Sequence, residues 1–258
     1  MTYEPDIDWT DDEIVFSDMT PDTLFVFDRM TAETIRAVKA APGERILDIA
    51  CGRAIDALAL ARSGALVFGL EASDTMIAKA REYLGTEADK VVLVRGLAES
   101  LPFADNAFDK TVCKGAMDHF ADIQRSMAEM TRVTRPGGRV IVSIANFESL
   151  TCRLGRSLWG ARRWLTGRGA SDHPFWEPPE DHNYKFDLAV LKSLMRRHCD
   201  LEPILGLSLL WGFPRWGALL RKLNPRTVSF LLAGLDRAAR LAPGLSDVLV
   251  AVGKPIKP

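Results

Sequence analysis

The chain of 258 residues contains four cysteines, Cys51, Cys113, Cys152 and Cys199, and no two of them form a CxxC pair. That absence excludes a zinc-ribbon motif and a disulfide framework. Charge of one sign is also missing: 33 Lys and Arg face 34 Asp and Glu, for a net charge of −1. A general nucleic-acid binder would carry a strongly basic domain, so no nucleic-acid partner is expected. No uninterrupted apolar run reaches transmembrane length. The first residues are acidic (Glu4, Asp6, Asp8, Asp11, Asp12, Glu13) and lack the basic start and apolar core of a signal peptide. Repeats and low-complexity tracts are absent. The default expectation is a soluble cytoplasmic protein.

What is present is material for a core, since 47% of the residues are apolar. That length and composition suit one large α/β domain with insertions, or two small domains. Apolar spacing predicts helix over 20–41, then strand 45–49, helix 54–63, strand 65–70 and a helix to residue 84 capped by Ser73 or Asp74. Strands follow at 91–95 and 108–113, a helix at 123–133 that Pro136-Gly137-Gly138 breaks, and a strand at 139–145. Alternating strands and helices imply parallel neighbours joined by crossover helices. The alternation fails over 147–186, which is rich in Arg, Trp, Pro and His. It resumes with helix 188–197 and a strand from Leu201, is interrupted again by helical composition over 213–243, and closes with a strand at 247–252. The expectation is a single domain, 1–258. It is a Rossmann-like doubly wound, mostly parallel sheet of seven strands with an antiparallel last strand. Residues 147–186 form a lid or substrate insertion, and 213–243 a helical one.

In such a sheet ligands bind beyond the carboxyl ends of the strands. The stretch RILDIACGRA places a turn there, Ala50 to Ala54, with one glycine, Gly52, able to take a positive φ and admit a ligand to the backbone. A dinucleotide fingerprint would need GxGxxG, and its third glycine falls on branched Ile55. A YxxxK pair is absent too, because Tyr184 and Lys185 are adjacent. These gaps count against a nicotinamide enzyme. Glu71, 23 residues beyond Asp48, can accept hydrogen bonds from the hydroxyls of a ribose. S-adenosylmethionine has a ribose and no pyrophosphate, so it relaxes the demand for glycine.

Four blocks in order, ILDIACGRA, VFGLEASDTMIAKAR, VRGLAESLPFADNAFD and MAEMTRVTRPGGRVIVS, resemble the class I S-adenosylmethionine-dependent methyltransferases, in the broad group of small ubiquinone/menaquinone-type enzymes. The resemblance spans residues 35–147. It implies that Asp48 and the turn Ala50, Cys51, Gly52 and Ala54 hold the methionine part of the cofactor. It implies further that Glu71 binds the ribose, that Ala72 and Met76 pack near the adenine, and that Ala98 offers its N–H to the adenine edge. Lys114 and Gly115 would border the sulfonium and the acceptor. Three positions depart from the family pattern. Ala50 and Ala54 stand where glycine is more frequent, Ala54 crowding the turn. Leu97 stands where an aspartate usually accepts from the adenine amino group, with Glu99 the nearest substitute.

Three of the four histidines follow an aspartate: Asp118-His119, Asp172-His173 and Asp181-His182. A neutral imidazole suits proton removal from an acceptor. His119, just past the fourth strand, is the first candidate base, and His182 with Tyr184 the second. Metal-ligand spacing is not met around His173, His182, Asp172, Glu177, Glu180 and Asp181, so no metal is expected. Residues 151–169 carry five arginines and no acid. Leu154, Leu158 and Leu165 at helical spacing, near Trp159 and Trp164, suggest contact with an anionic membrane or substrate. Residues 204–216 add an apolar, Trp-containing patch. The expected activity is methyl transfer to a small or amphipathic, lipid-like acceptor, with S-adenosylhomocysteine as coproduct. Two alternatives stand beside it: a degenerate cofactor-binding partner protein, and a cofactor-using enzyme of another reaction type.

Overall fold

A computed structural model describes residues 3–4, 7–11, 19–166, 174, 176–179 and 181–257, with the side chains of 160–166 excepted. The elements that build the sheet alternate as the apolar spacing predicts. Helix α1 (Pro21–Val38) precedes β1 (Arg45–Ile49), α2 (Ile55–Ala61), β2 (Leu66–Glu71), α3 (Asp74–Leu84) and β3 (Val91–Arg95). Then come β4 (Phe108–Lys114), α4 (Ile123–Val133), β5 (Thr134–Ala145) and α5 (Leu150–Thr166). The chain ends with α6 (Leu188–His198), β6 (Cys199–Leu201), β7 (Leu205–Leu207), α7 (Trp216–Leu220), α8 (Pro225–Leu241) and β8 (Val248–Pro255). Local chemistry starts the helices. The Ser73 hydroxyl accepts from the Met76 N–H, Asp122 from Gln124 and Arg125, Asp187 from Val190, and Asn224 from Thr227. Each such cap contributes on the order of 1 kcal/mol.

The sheet runs β3-β2-β1-β4-β5-β8-β6, with β7 also on β8. The first five strands are parallel, and β8 is antiparallel to β5. Among the described residues there are eight strands where seven were expected. The strand anticipated from Leu201 is two pieces, because both β6 and β7 pair with β8 while Glu202-Pro203-Ile204 lies between them. Proline has no N–H to give to a ladder, so the edge breaks there. The fifth strand also starts earlier than its apolar run suggests, at Thr134. Its Pro-Gly-Gly segment is absorbed in a register shift against Phe108 and Lys110.

Both faces of the sheet are covered. Helices α4 and α6 pack Met127, Met130, Leu191 and Met195 over one face. Helices α1, α2 and α3 pack Val26, Leu58 and Ala80 over the other. Helix α8 is tied to α1 by a buried charge cluster: the Arg29 guanidinium donates to Asp236 at 2.9 Å and to Glu33 at 2.6 Å, and Arg240 donates to Glu33 at 3.1 Å. The 147–186 insertion is tied to the loop after β7 at the head of β8, where the Asp247 carboxylate accepts from the Thr151 hydroxyl at 3.1 Å and the Trp211 N–H at 2.9 Å. This junction lies at the carboxyl end of β5, since Ala145 pairs with Val248.

Candidate active site

The turn after β1 is built from left-handed backbone. Ala50, Gly52 and Ala54 have φ of 55°, 54° and 60°. Glycine takes this region without penalty, whereas an L-residue crowds its Cβ against the carbonyl. The two alanines that replace family glycines are therefore conformational costs. Ala54 does not line the cavity: its methyl is fully buried in the apolar cluster with Val26 and Leu58. The crowding expected at Ala54 falls on the backbone rather than on a ligand.

The turn is closed by Glu71, which is 6% exposed. Its Oε2 accepts from the Gly52 N–H at 2.9 Å, and its Oε1 from Ala72 at 2.9 Å and Ser73 at 3.1 Å. A carboxylate offers roughly four acceptor positions, so Oε2 retains one for a ligand hydroxyl. Beside it, burial pushes the Asp48 carboxyl well above the usual carboxylate range, and the nearby Asp56 and Glu71 add to this against the opposing Lys114. Lys114 is anchored rather than free: its Nζ donates to Asp56 at 2.7 Å and to Thr31 at 2.8 Å. The other Asp56 oxygen, Oδ1, is buried without a hydrogen-bond partner. The Cys51 thiol is also pushed up, first by burial and then by Asp48 and Glu71, so it is not a nucleophile.

These groups surround a cavity of about 260 Å³. Twelve of the thirteen residues expected to hold the cofactor line it, Ala54 being the exception. Glu99 is there too, its Oε1 accepting from Ala121 at 2.8 Å and Asp122 at 3.3 Å. Sequence reasoning missed Trp9, Asp11, Arg53 and Asp56, which also line the wall. Asp11 pairs with Arg53 and, at 2.8 Å, with Lys79, bringing the N-terminal segment across the mouth. No local pattern links residue 11 to residue 53. Asp56 was legible in principle, as the acid two residues past Ala54 in the first turn of α2.

Each histidine contacts the other's aspartate, and His182 Nδ1 also lies 3.2 Å from Oδ1 of its own neighbour Asp181. His182 Nε2 lies 3.0 Å from Asp118 Oδ2, and His119 Nδ1 lies 3.2 Å from the Asp181 carbonyl and 3.6 Å from its carboxylate. The two rings are 4.3 Å apart, and Trp9 meets His119 edge-on at 6.0 Å. Burial pushes the His182 imidazole down, but the hydrogen bond with Asp118 and the charges of Asp118 and Asp181 outweigh it, so it titrates above its ordinary value. His119 lines the cavity; His182 and Tyr184 do not. The Tyr184 hydroxyl donates to the Ala121 carbonyl at 3.0 Å. Asp118, His119 and His182 bring three ligand-type atoms within 4.8 Å of one another, a grouping no spacing rule foresaw. His173, Asp172, Glu180 and residues 167–169 of the basic stretch lie outside the described residues.

Residues 47–142 match the family model described as a methyltransferase domain. Over these residues the chain is similar to methyltransferase domains. The chain is 38% identical over 109 residues to the demethylmenaquinone methyltransferase of Mycobacterium marinum, covering 42% of this chain and 45% of that protein. It thus spans under half the length of the curated relatives it matches. In fold it resembles phosphoethanolamine N-methyltransferase 2 of Haemonchus contortus, crystallised with S-adenosylmethionine, at TM-score 0.59, 19% identity and 90% of this chain against 53% of that one. It also resembles the [4+2]-cyclase SpnF, at TM-score 0.58, 20% identity and 89% of this chain against 82% of that one. The orphaned Asp56 Oδ1, the free acceptor position on Glu71 and the acidic wall fit a cationic ribose cofactor.

Two outcomes follow from this site. Relieving a left-handed alanine gains about 1–2 kcal/mol, less about 0.5–1 kcal/mol for glycine's greater freedom when unfolded. Ala50→Gly is therefore expected to stabilise the protein by about 0.5–1 kcal/mol. Ala54→Gly also loses a buried methyl worth about 0.8 kcal/mol and should be near neutral. Urea midpoints at constant slope measure both; a lower midpoint for Ala50→Gly would contradict the account. His182 contributes stability that is fully present below the unfolded pKa of roughly 6.5 and is lost as pH rises through its raised folded value. The melting-temperature loss in His182→Asn should accordingly be larger at pH 6 than at pH 9. A pH-independent loss would contradict the ion pair.

Proposed function

We propose that the chain transfers a methyl group from S-adenosylmethionine to a small, apolar acceptor of the quinone type. The observation that carries the reading is the Glu71 carboxylate, pinned by three amides beside a left-handed turn and opening on an acid-lined cavity. The bound cofactor supplies an electrophilic methyl on a sulfonium. Asp56 Oδ1 and Asp48 supply acceptors for an ammonium group at the turn, Glu71 binds a ribose hydroxyl, and Met76, Ala72 and Leu97 form the apolar bed for a base. Ala98 offers its N–H to the adenine edge. At Leu97 the charged acceptor is lost, which costs about 1.5–3 kcal/mol, or roughly tenfold to hundredfold in affinity. Glu99 commits one oxygen, Oε1, to the Ala121 and Asp122 amides, which leaves Oε2 to accept in its place.

One part of the remaining wall, Gly115, Ala116, His119, Phe120 and Trp9, is mostly apolar and would receive the acceptor. This agrees with the quinone name of the sequence relatives. Holding acceptor and cofactor in attack geometry provides roughly 7–11 kcal/mol. Where the acceptor gives up a proton from a hydroxyl or an activated ring carbon, His119 is the base. His182, gripped by Asp118 and Asp181, orients it through the ring contact, and Tyr184 fixes the Ala121 loop.

The test is incubation with methyl-labelled S-adenosylmethionine and a panel of reduced short-chain naphthoquinones. Label in the acceptor with equimolar S-adenosylhomocysteine supports the reading. Altered acceptor without label would indicate a different reaction on the same fold, as the cyclase illustrates. His119→Ala should lose about a hundredfold in turnover, and a loss under about threefold would remove His119 as base.

A further inference from the structure

We propose that the α7–α8 tip docks the protein on an anionic phospholipid bilayer, with the cavity end of the sheet turned toward the lipid. Residues 203–235 contain four cations, Arg215, Arg221, Lys222 and Arg226, and no acid. All four are exposed. Apolar side chains stand among them: Phe230 is 76% exposed, Leu219 50% and Leu223 36%. A large aromatic left in water beside cations, with no carboxylate in the segment, is the composition of an interfacial anchor. Anionic headgroups would meet the cations while the apolar groups enter the acyl boundary.

The position of this tip follows from α1. Lys110, in the middle of β4, donates to the Lys39 carbonyl at the foot of α1 at 2.6 Å, and Lys114, at the carboxyl end of β4, donates to Thr31 at 2.8 Å. Helix α1 therefore runs antiparallel to β4, and its first residues project beyond the strand ends. At 1.5 Å per residue, Thr20 stands about 15 Å past the level of Met30. The segment 211–217 wraps that projecting start. The Trp211 indole N–H donates to Thr23 at 3.3 Å, the Gly212 N–H donates to Asp22 at 3.1 Å, and a Cβ on Gly217 would collide with Thr20. So α7 and the start of α8 share the end of the molecule that carries the cavity.

Helix α5, on which the sequence first suggested such contact, is less suited over its described part. Its Leu154 and Leu158 are exposed, but Arg156 pairs with Glu148 at 2.6 Å and Arg153 with the same carboxylate at 3.8 Å. The Glu148 carboxylate partly cancels the charge there.

The experiment is flotation of the full chain with vesicles of phosphatidylcholine alone or with 30% phosphatidylglycerol, at low and high salt. Binding is expected only with phosphatidylglycerol and should weaken at high salt as screening grows. Near an anionic surface each cation is worth roughly fivefold in binding, so reversing Arg221, Lys222 and Arg226 to Glu should cost at least a hundredfold. Phe230→Ser should cost about tenfold. Arg226→Glu alone, at an exposed helix position, keeps the test available if the triple variant misfolds. No binding to anionic vesicles, or binding untouched by these variants, would overturn the proposal. Self-association at micromolar concentration abolished by Phe230→Ser would also overturn it, assigning the tip to a second copy. The readout is independent of methyl transfer, so its failure and the failure of the proposed activity are distinguishable.

Discussion

The Glu71 carboxylate accepts from the amides of Gly52, Ala72 and Ser73, and the arrangement of the site depends on that one cluster. It closes the β1 turn onto the end of β2, so two strands that are neighbours in the sheet also share a ligand wall. It satisfies amides that would otherwise be buried without partners beside the first turn of α3, where an anion is favoured. The left-handed residues Ala50, Gly52 and Ala54 are the backbone form that delivers the Gly52 amide to it. The strain they carry is the cost of a turn tight enough to leave a cavity behind it.

Charge completes the arrangement. Asp48, Asp56 and Glu71 crowd one side of the cavity, and Lys114 is committed to Asp56 rather than to a ligand. A buried acidic wall with too few internal cations is stabilised by a cationic guest. The opposite side is closed by elements remote in sequence: the segment Trp9–Asp11 and the loop after β4. The crosswise pairing of His182 with Asp118 and of His119 with Asp181 stitches the insertion to that loop, holding one imidazole at the cavity and a second behind it.

Much of this was legible in sequence because it is periodic or local. The parallel order of the first five strands, the Ser73 cap, and the meeting of Asp48, Gly52 and Glu71 all follow from alternation and from the rule that ligands bind beyond strand ends. The split of the expected sixth strand escaped notice because a single proline, Pro203, decides it. Long-range pairings were out of reach. Nothing in the neighbourhood of Asp11 names Arg53, and nothing local brings Asp118 to His182. The consequence of Ala54 was also misplaced, because its methyl faces the core and only its φ bears on the turn. Glu99, read as a substitute for the missing adenine acceptor, also holds the Ala121 and Asp122 amides through one oxygen, a second task its sequence position does not announce.

The most direct test of the central claim is calorimetric titration of S-adenosylhomocysteine into the wild-type protein and Glu71→Gln, a change that keeps the side-chain volume and removes the charge. The account predicts micromolar binding by the wild type and at least tenfold weaker binding by a folded Glu71→Gln. Equal affinity in the two proteins, or no binding by the wild type, would contradict the assignment of this carboxylate as the group that holds the cofactor.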